Sequence, residues 1–183
     1  MMKDLTEDLL TGTKLRLRAP EPEDIDLLYK WENDTRVWRV SNTFAPFSRF
    51  QLEEFVMNSR QDIFSARQVR LMIDKFVPAE EKTTIGSIDL FDFDPFHLRA
   101  GVGILIREEF RNEGYAKEAL EILIRYAFTL LQLHQLYCNI SAENTISCSL
   151  FESLGFVNCG IKREWINQGE RWQDEIMLQL INK

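Results

Sequence analysis

The chain has 183 residues, a formal net charge of −7, 45% apolar residues and 28% charged residues, a mix that suits one soluble domain with a sizeable core. The acidic balance argues against a nucleic-acid backbone as the primary partner. No apolar run approaches the roughly 18 residues of a membrane span, and Met1 to Leu10, with Asp4, Glu7 and Asp8, lacks the basic-then-apolar pattern of a signal peptide. Cys138, Cys148 and Cys159 are odd in number and too far apart for a zinc knuckle or a redox pair. They read as reduced thiols in a cytoplasmic protein without a metal.

Residues 1–12 read as an N-terminal extension and 13–183 as a single domain. Lys14 to Arg18 alternates and predicts a first strand, ended by Pro20 and Pro22. Glu23 and Asp24 suit the first turn of a helix whose apolar stripe is Ile25, Leu28 and Trp31. Asn33-Asp34-Thr35 breaks it, and Arg36 to Phe47 is irregular and aromatic-rich. Ser48 is a candidate N-cap for a second helix carrying Leu52, Phe55 and Val56. Gln68 to Ile73 reads as a strand, Pro78 to Lys82 as a charged turn, and Thr84 to Phe93 as a long strand turning at Asp92-Phe93-Asp94-Pro95. Leu98 to Ile106 is its neighbour.

The end of that strand is the most informative stretch. Val102, Ile104 and Ile106 alternate, as in a half-buried strand. Past Arg111-Asn112-Glu113-Gly114-Tyr115-Ala116 the apolar period becomes helical, at Leu120, Leu123, Ala127 and Leu130. Such a strand-to-helix junction directs unpaired backbone N–H groups and the positive end of a helix dipole at one spot, which is a way to hold a pyrophosphate. Leu136 to Ile140 then reads as a short strand. Asn144 to Leu154 reads as a short helix stopped by Gly155. Phe156 to Trp165 and Arg171 to Leu180 form a hairpin about Asn167-Gln168-Gly169-Glu170. The order β-α-α-β-β-β-α-β-α-β-β predicts a mixed α/β (α+β) sheet, antiparallel in the middle, with a parallel crossover after it.

This layout, centred on Arg111 to Ala116, resembles the GNAT superfamily of N-acetyltransferases, whose acetyl-CoA loop follows the pattern Arg/Gln-x-x-Gly-x-Gly/Ala. Asn144-Thr145-Ile146-Ser147 with Leu154-Gly155-Phe156 is similar to the family's second helix. The Asn167-Gln168-Gly169 turn with Asp174 and Met177, and the opening Leu15-Arg16-Leu17-Arg18-Ala19-Pro20 with Glu23-Asp24, are similar to one subgroup. That subgroup holds ribosomal-protein N-terminal acetyltransferases and bacterial spermidine acetyltransferases. The resemblance spans residues 13 to 181. It implies a mostly antiparallel sheet of about seven strands flanked by about four helices, with a splayed parallel pair at the cofactor site.

The resemblance also implies a chemistry. Acetyl-CoA is the donor, and a primary amine of a small molecule, a polyamine or a protein N-terminus attacks it directly. Backbone groups from Asn112, Glu113, Gly114, Tyr115 and Ala116 meet the pyrophosphate, and Arg111 adds a cation. Ile104, Leu105 and Ile106 offer main-chain contacts to the pantetheine arm, and Asn144 and Ser147 lie near its amides. Ile146, Leu150 and Leu154 are expected to pack inward, while Asn144, Ser147, Cys148 and Phe151 form a second stripe. Many members carry a tyrosine at the place of Phe151, as the acid for the departing thiolate; phenylalanine cannot supply that proton. Ser147, Ser149 or Tyr115 are candidate substitutes, or Phe151 simply packs beside the cofactor.

Asp89 is the candidate base, with Asp92 farther along the strand. Glu32 and Asp34 lie where the subgroup places acceptor contacts. Trp31, Trp38, Phe44, Phe47 and Phe50 could wall the acceptor cleft or be core. Spermidine enzymes carry acidic residues ahead of a proline in this region, where this chain has Asn42-Thr43-Phe44-Ala45 before Pro46, so polyamine specificity does not follow. The other reading is an acyl-CoA-binding sensor or scaffold without turnover. Relatives form monomers, dimers or larger rings, so a homo-oligomer is among the assemblies implied. His97 and His134 stand apart without carboxylate partners and read as turn and helix-end residues.

Overall fold

The computed structural model describes residues 9–36, 38, 43–58, 62–76 and 83–183. The strands are β1 (Leu15–Arg18), β2 (Val69–Lys75), β3 (Thr83–Asp94), β4 (Arg99–Ile106), β5 (Gln135–Ser141), β6 (Val157–Asn167) and β7 (Trp172–Ile181). They form one seven-stranded sheet in the order β1-β2-β3-β4-β5-β7-β6. Every neighbouring pair is antiparallel except β4 and β5. Five helices accompany it among the described residues: α1 (Ile25–Glu32), α2 (Arg49–Asn58), α3 (Ile63–Ala66), α4 (Tyr115–Thr129) and α5 (Thr145–Glu152). The expected order of strands and long helices is present, including the parallel pair. The added helix is α3, a single turn capped by Asp62, whose Oδ1 accepts from the N–H groups of Phe64 and Ser65 at 2.9 and 3.1 Å.

The two faces of the sheet bury different side chains, as the two-residue period of a strand requires. One face carries Ile85, Ile88, Leu90, Val102, Ile106, Leu136, Cys138 and Leu178, all buried against Ala119, Leu120, Ile122, Leu123 and Ala127 of α4 and Phe151 of α5. The other face carries Met72 and, half-buried, Leu105 against Leu28 and Trp31 of α1 and Leu52 and Val56 of α2. Ser48 caps α2 reciprocally: its Oγ accepts from the Gln51 N–H at 3.2 Å, and Gln51 Oε1 accepts from the Ser48 N–H at 2.8 Å.

One local expectation changes, at Ile146, and two contacts add to the reading. Asp24 stands in the acidic first turn expected there, and its side chain is buried against β1. Its carboxylate receives Arg18 Nη1 and Nη2 at 2.5 and 2.8 Å, while Arg18 Nε reaches Asp74 at 2.7 Å. Ile146 is 78% exposed instead of packing inward, because α5 turns Phe151 and Cys148 toward the sheet. Residues 9–12 lie against the domain: Leu17 N–H donates to Leu10 O and Gly12 N–H to Leu15 O, each at 2.8 Å, and Arg125 donates to the carbonyls of Leu9 and Thr11. The expected turn from Pro78 to Lys82 lies outside the described residues.

Candidate active site

The site starts from a pairing that stops short. β4 and β5 are in register only at Arg99–Gln135, Ala100–Leu136 and Gly101–Tyr137. Beyond Gly101, β4 continues to Ile106 and β5 to Ser141 with no register between them. Alternate amides and carbonyls of β4 therefore face a gap where a ladder partner would stand. Gly103, Ile104 and Leu105 are half-buried along this open stretch, whereas Val102 and Ile106 are buried. Ile104 and Ile106 also pack toward the larger core, so their side chains are core while their backbone borders the gap.

The wide end of the gap meets the junction to α4. After a 3₁₀ turn at Glu108–Phe110, the chain takes left-handed conformations at Asn112 (φ 64°) and Gly114 (φ 84°). Gly114 is the N-cap of α4 and no side chain caps it, so the first N–H groups of the helix open outward with the dipole behind them. A Cβ at Gly114 would meet no atom within 4 Å, which marks open space in front of the helix. Positive φ and that free space together fit a bound pyrophosphate. Arg111 Nε donates to Ile106 O at 3.0 Å and ties the loop to the end of β4. Asn112, Glu113 and Gly114 are exposed, and Ala116 is half-buried. Tyr115 instead turns its ring into the core, where Lys75 Nζ lies 5.9 Å from the ring centre, so its hydroxyl is not grouped with the gap.

On the α5 side, Asn144 is used as a cap: its Oδ1 accepts from the Ser147 N–H at 3.1 Å. Ser147 is half-buried and Ser149 exposed. Phe151 is only 3% exposed and meets Phe156 edge-on at 5.0 Å between ring centres. It packs, as one of the two sequence readings had it.

Asp89 lies on the α1/α2 face, in one lateral row with Arg70 and Gly103. Its Oδ1 accepts from Arg70 Nε at 2.6 Å, while Oδ2 lies a longer 3.4 Å from Arg70 Nη2. Oδ2 is also the atom turned toward the open stretch, 3.9 Å from where a Cβ of residue 103 would be. Arg70 binds Glu32 of α1 through Nη1 and stacks over the Phe55 ring of α2 at 5.3 Å. Burial alone would lower the Arg70 pKa, but the charges of Asp89 and Glu32 outweigh it and raise it, so the guanidinium is a permanent cation between two carboxylates. Asp34 is engaged elsewhere: Arg36, hydrogen-bonded to it, holds its carboxyl below the usual carboxylate range. Arg36 also reaches Glu108 at 3.1 Å, linking the end of α1 to the loop before α4.

The expected aromatic wall is divided. Trp31 is core; Trp38 donates its indole N–H to Glu32 O at 2.6 Å; Phe47 is fixed by a two-way hydrogen bond with the Asn33 side chain. Phe44 and Phe50 are exposed, and Asn42 lies outside the described residues. Two groups missed in sequence stand on the same face as Asp89. Tyr137 is the last β5 residue paired with β4, and its hydroxyl donates to Asp92 Oδ2 at 3.3 Å. Lys162 of β6 reaches Asn139 at 3.1 Å and Glu175 at 2.6 Å. The alternation of Tyr137 and Asn139 against Leu136, Cys138 and Ile140 is the signal that could have found the first.

Comparison with known proteins places this fold in a family. The model of the acetyltransferase (GNAT) domain matches residues 14–157. A spermidine N(1)-acetyltransferase of Vibrio cholerae is 29% identical over 165 residues, covering 89% of this chain and 90% of the relative. An uncharacterised N-acetyltransferase of Bacillus licheniformis is 28% identical, covering 96% of this chain and 97% of the relative. Among solved structures, the Vibrio cholerae spermidine N-acetyltransferase in complex with CoA and spermine superposes with a TM-score of 0.82 at 25% identity, covering 93% of this chain and 96% of that one. The chain therefore belongs to the GNAT acetyltransferase family and is an N-acetyltransferase with that family's mixed fold.

Proposed function

We propose that this enzyme transfers an acetyl group from acetyl-CoA to a primary amine by direct attack, without a covalent enzyme intermediate. The observation that carries the reading is the parting of β4 from β5 beyond Gly101, aimed at the uncapped start of α4. In this reading the pyrophosphate rests on the N–H groups from Asn112 to Ala116 beside Arg111. The pantetheine arm lies along Ile104, Leu105 and Ile106, and Asn144, Ser147 and Phe151 border it from α5. The solved relative bound to CoA supports this placement by analogy.

The amine arrives from the α1/α2 face. Glu32, Asp89 and Asp92 give that face carboxylates that attract an ammonium group. Asp89 takes the amine's proton through Oδ2, the oxygen less engaged by Arg70. The neutral nitrogen then attacks the thioester carbonyl, and β4 amides facing the gap stabilise the oxyanion. The acceptor is a small amine of the polyamine kind or a protein N-terminus, and the spermidine-acetylating relatives favour the former. The three free cysteines suit a cytoplasmic enzyme.

The test is release of CoA thiol from acetyl-CoA in the presence of spermidine, spermine, monoamines and short peptides with free N-termini. Amine-dependent release with at least one panel member is expected. CoA binding by calorimetry without release for any amine would favour an acyl-CoA sensor.

A further inference from the structure

The donor's reactive end has a definable place in this fold, if the site reading above holds. A chain entering the gap from the wide end at Gly114 runs beside the open stretch of β4 from Ile106 back to Val102. That stretch is about 16 Å long at the rise of a strand, comparable with an extended pantetheine arm. It stops where pairing resumes, at Gly101 and Tyr137. Residues in register on adjacent strands share a face, so Phe91, Gly101, Tyr137 and Gln179 form one row on the amine side of the sheet. In that row the Tyr137 ring is held by Phe91, edge-on at 6.1 Å, and its hydroxyl by Asp92. Asp92 is in position to do this because it sits in a bulge at φ 48°, out of the regular alternation of β3.

We propose that Tyr137 is the proton donor to the departing CoA thiolate, replacing the hydroxyl that Phe151 lacks, and that Asp92 positions it. Phe151 is turned into the core against Phe156, and Tyr115 is buried beside Lys75, so neither meets the gap's narrow end. Tyr137 is a half-buried residue in register with Gly101 at that end, and its hydroxyl is held on Asp92. In the step itself, the nitrogen–carbon bond forms and the carbon–sulfur bond breaks. Sulfur takes the Tyr137 proton; Asp89, having passed the ammonium's proton to water before the attack, takes the second proton from the nitrogen and passes it to water in turn, and the tyrosinate is reprotonated from water at the open face. The sum is amine plus thioester to amide plus thiol. The charged groups that act on Tyr137 are Asp92 and Arg99, and Arg99 is itself paired with Asp94 at 3.3 Å. Burial and the Asp92 charge both raise the Tyr137 pKa, which keeps the proton on the oxygen at neutral pH.

The experiment compares full-length wild type, Tyr137→Phe and Asp92→Asn for CoA affinity by calorimetry, thermal unfolding, and kcat against pH at saturating acetyl-CoA. Tyr137→Phe is expected to bind CoA within twofold of wild type and to unfold at a similar temperature. Its kcat should fall by 10-fold or more, with loss of the alkaline limb of the pH profile. Asp92→Asn should keep that limb at a shifted position, as a positioning residue would. A Tyr137→Phe enzyme with kcat within twofold of wild type and an unchanged alkaline limb overturns the proposal. Failure of the site reading looks different: wild type itself would not bind CoA.

Discussion

The ring of Phe91 lies across the backbone of Gly101, so closely that a Cβ at 101 would fall 2.3 Å from Phe91 Cε2. A glycine in a strand ahead of a phosphate loop invites the reading that a ligand approaches there. Here a neighbouring side chain fills the space instead. Gly101→Ala is therefore expected to destabilise the fold by about 1–3 kcal/mol, through displacement of the ring. Adding Phe91→Leu should recover part of that loss, a non-additivity that urea unfolding of the two single variants and the double variant would measure. Gly103→Ala, whose new methyl would meet its nearest atoms at 3.8 and 3.9 Å, should fold as well as wild type.

Gly114 makes the opposite case. Its φ of 84° strains any residue with a side chain, and the space before it is empty of protein atoms. Gly114→Asp puts a negative charge where the pyrophosphate would lie. Affinity for CoA should fall by 100-fold or more in calorimetry, with the circular dichroism spectrum retained. Unchanged affinity would mean that the phosphates bind elsewhere.

These two glycines show what the sequence made legible. The Gly114 loop announced itself because the apolar period changes from two to 3.6 across it, a signal contained within a few residues. The Ser48 cap was legible for the same reason, being local. The need for glycine at 101 leaves no such local mark, because Phe91, which fills the space, comes from the neighbouring strand. Tyr137 was overlooked since its hydrogen-bond partner Asp92 lies 45 residues away, in a bulge that alternation does not reveal. The helix-start position of Asp24 is legible, whereas its burial with Arg18 is not, because Arg18 and Asp74 come from the strands β1 and β2. Asp89 and Glu32 were both picked out singly, but the guanidinium of Arg70 that joins them was not. Partners fixed only by register leave no mark in one sequence.

Phe151→Tyr tests whether the missing hydroxyl could simply be restored at its familial place. The ring is buried and meets Phe156 edge-on. A phenol there buries an O–H beside carbon, at a cost of about 1–3 kcal/mol. The expected outcome is a lower unfolding temperature and no gain in kcat. A rise in kcat without loss of stability would show that the ring reaches the narrow end of the gap.

Cys138 gives the fold a calculable alkaline weakness. Burial pushes its thiol from 9.0 up to about 12, so the folded state holds this proton more tightly than the unfolded chain does. Below pH 9 both states are protonated and stability is complete. As pH rises from 9 toward 12 the unfolded chain loses the proton first, and stability falls. Cys138→Ala should be less stable at neutral pH because of its cavity, yet lose less stability between pH 8 and 10.5. Urea midpoints for the two proteins across that range would check the difference in slope. The exposed Cys159 should react with a thiol reagent in the folded protein at pH 8, while Cys138 should not.

Arg70 joins α1 to the sheet, through Glu32 on one side and Asp89 on the other, on the face where the amine is proposed to enter. Replacing it by glutamine leaves two half-buried carboxylates without their cation. The cost should be about 3 kcal/mol, at the lower end for a broken buried pair because each side chain keeps some solvent. Asp89→Asn removes one negative charge and leaves Arg70 its bond to Glu32, so its stability cost should be smaller. The catalytic effects should run the other way. Asp89→Asn removes the carboxylate nearest Gly103 and should lower kcat/KM for the amine by 10-fold or more, with CoA affinity unchanged. Glu32→Gln, farther from the open stretch, should raise the amine KM and leave kcat within about threefold of wild type. Equal and small effects of both substitutions on the amine parameters would mean that the Glu32–Arg70–Asp89 chain is a structural tie between α1 and the sheet, and that the proton leaves by another route.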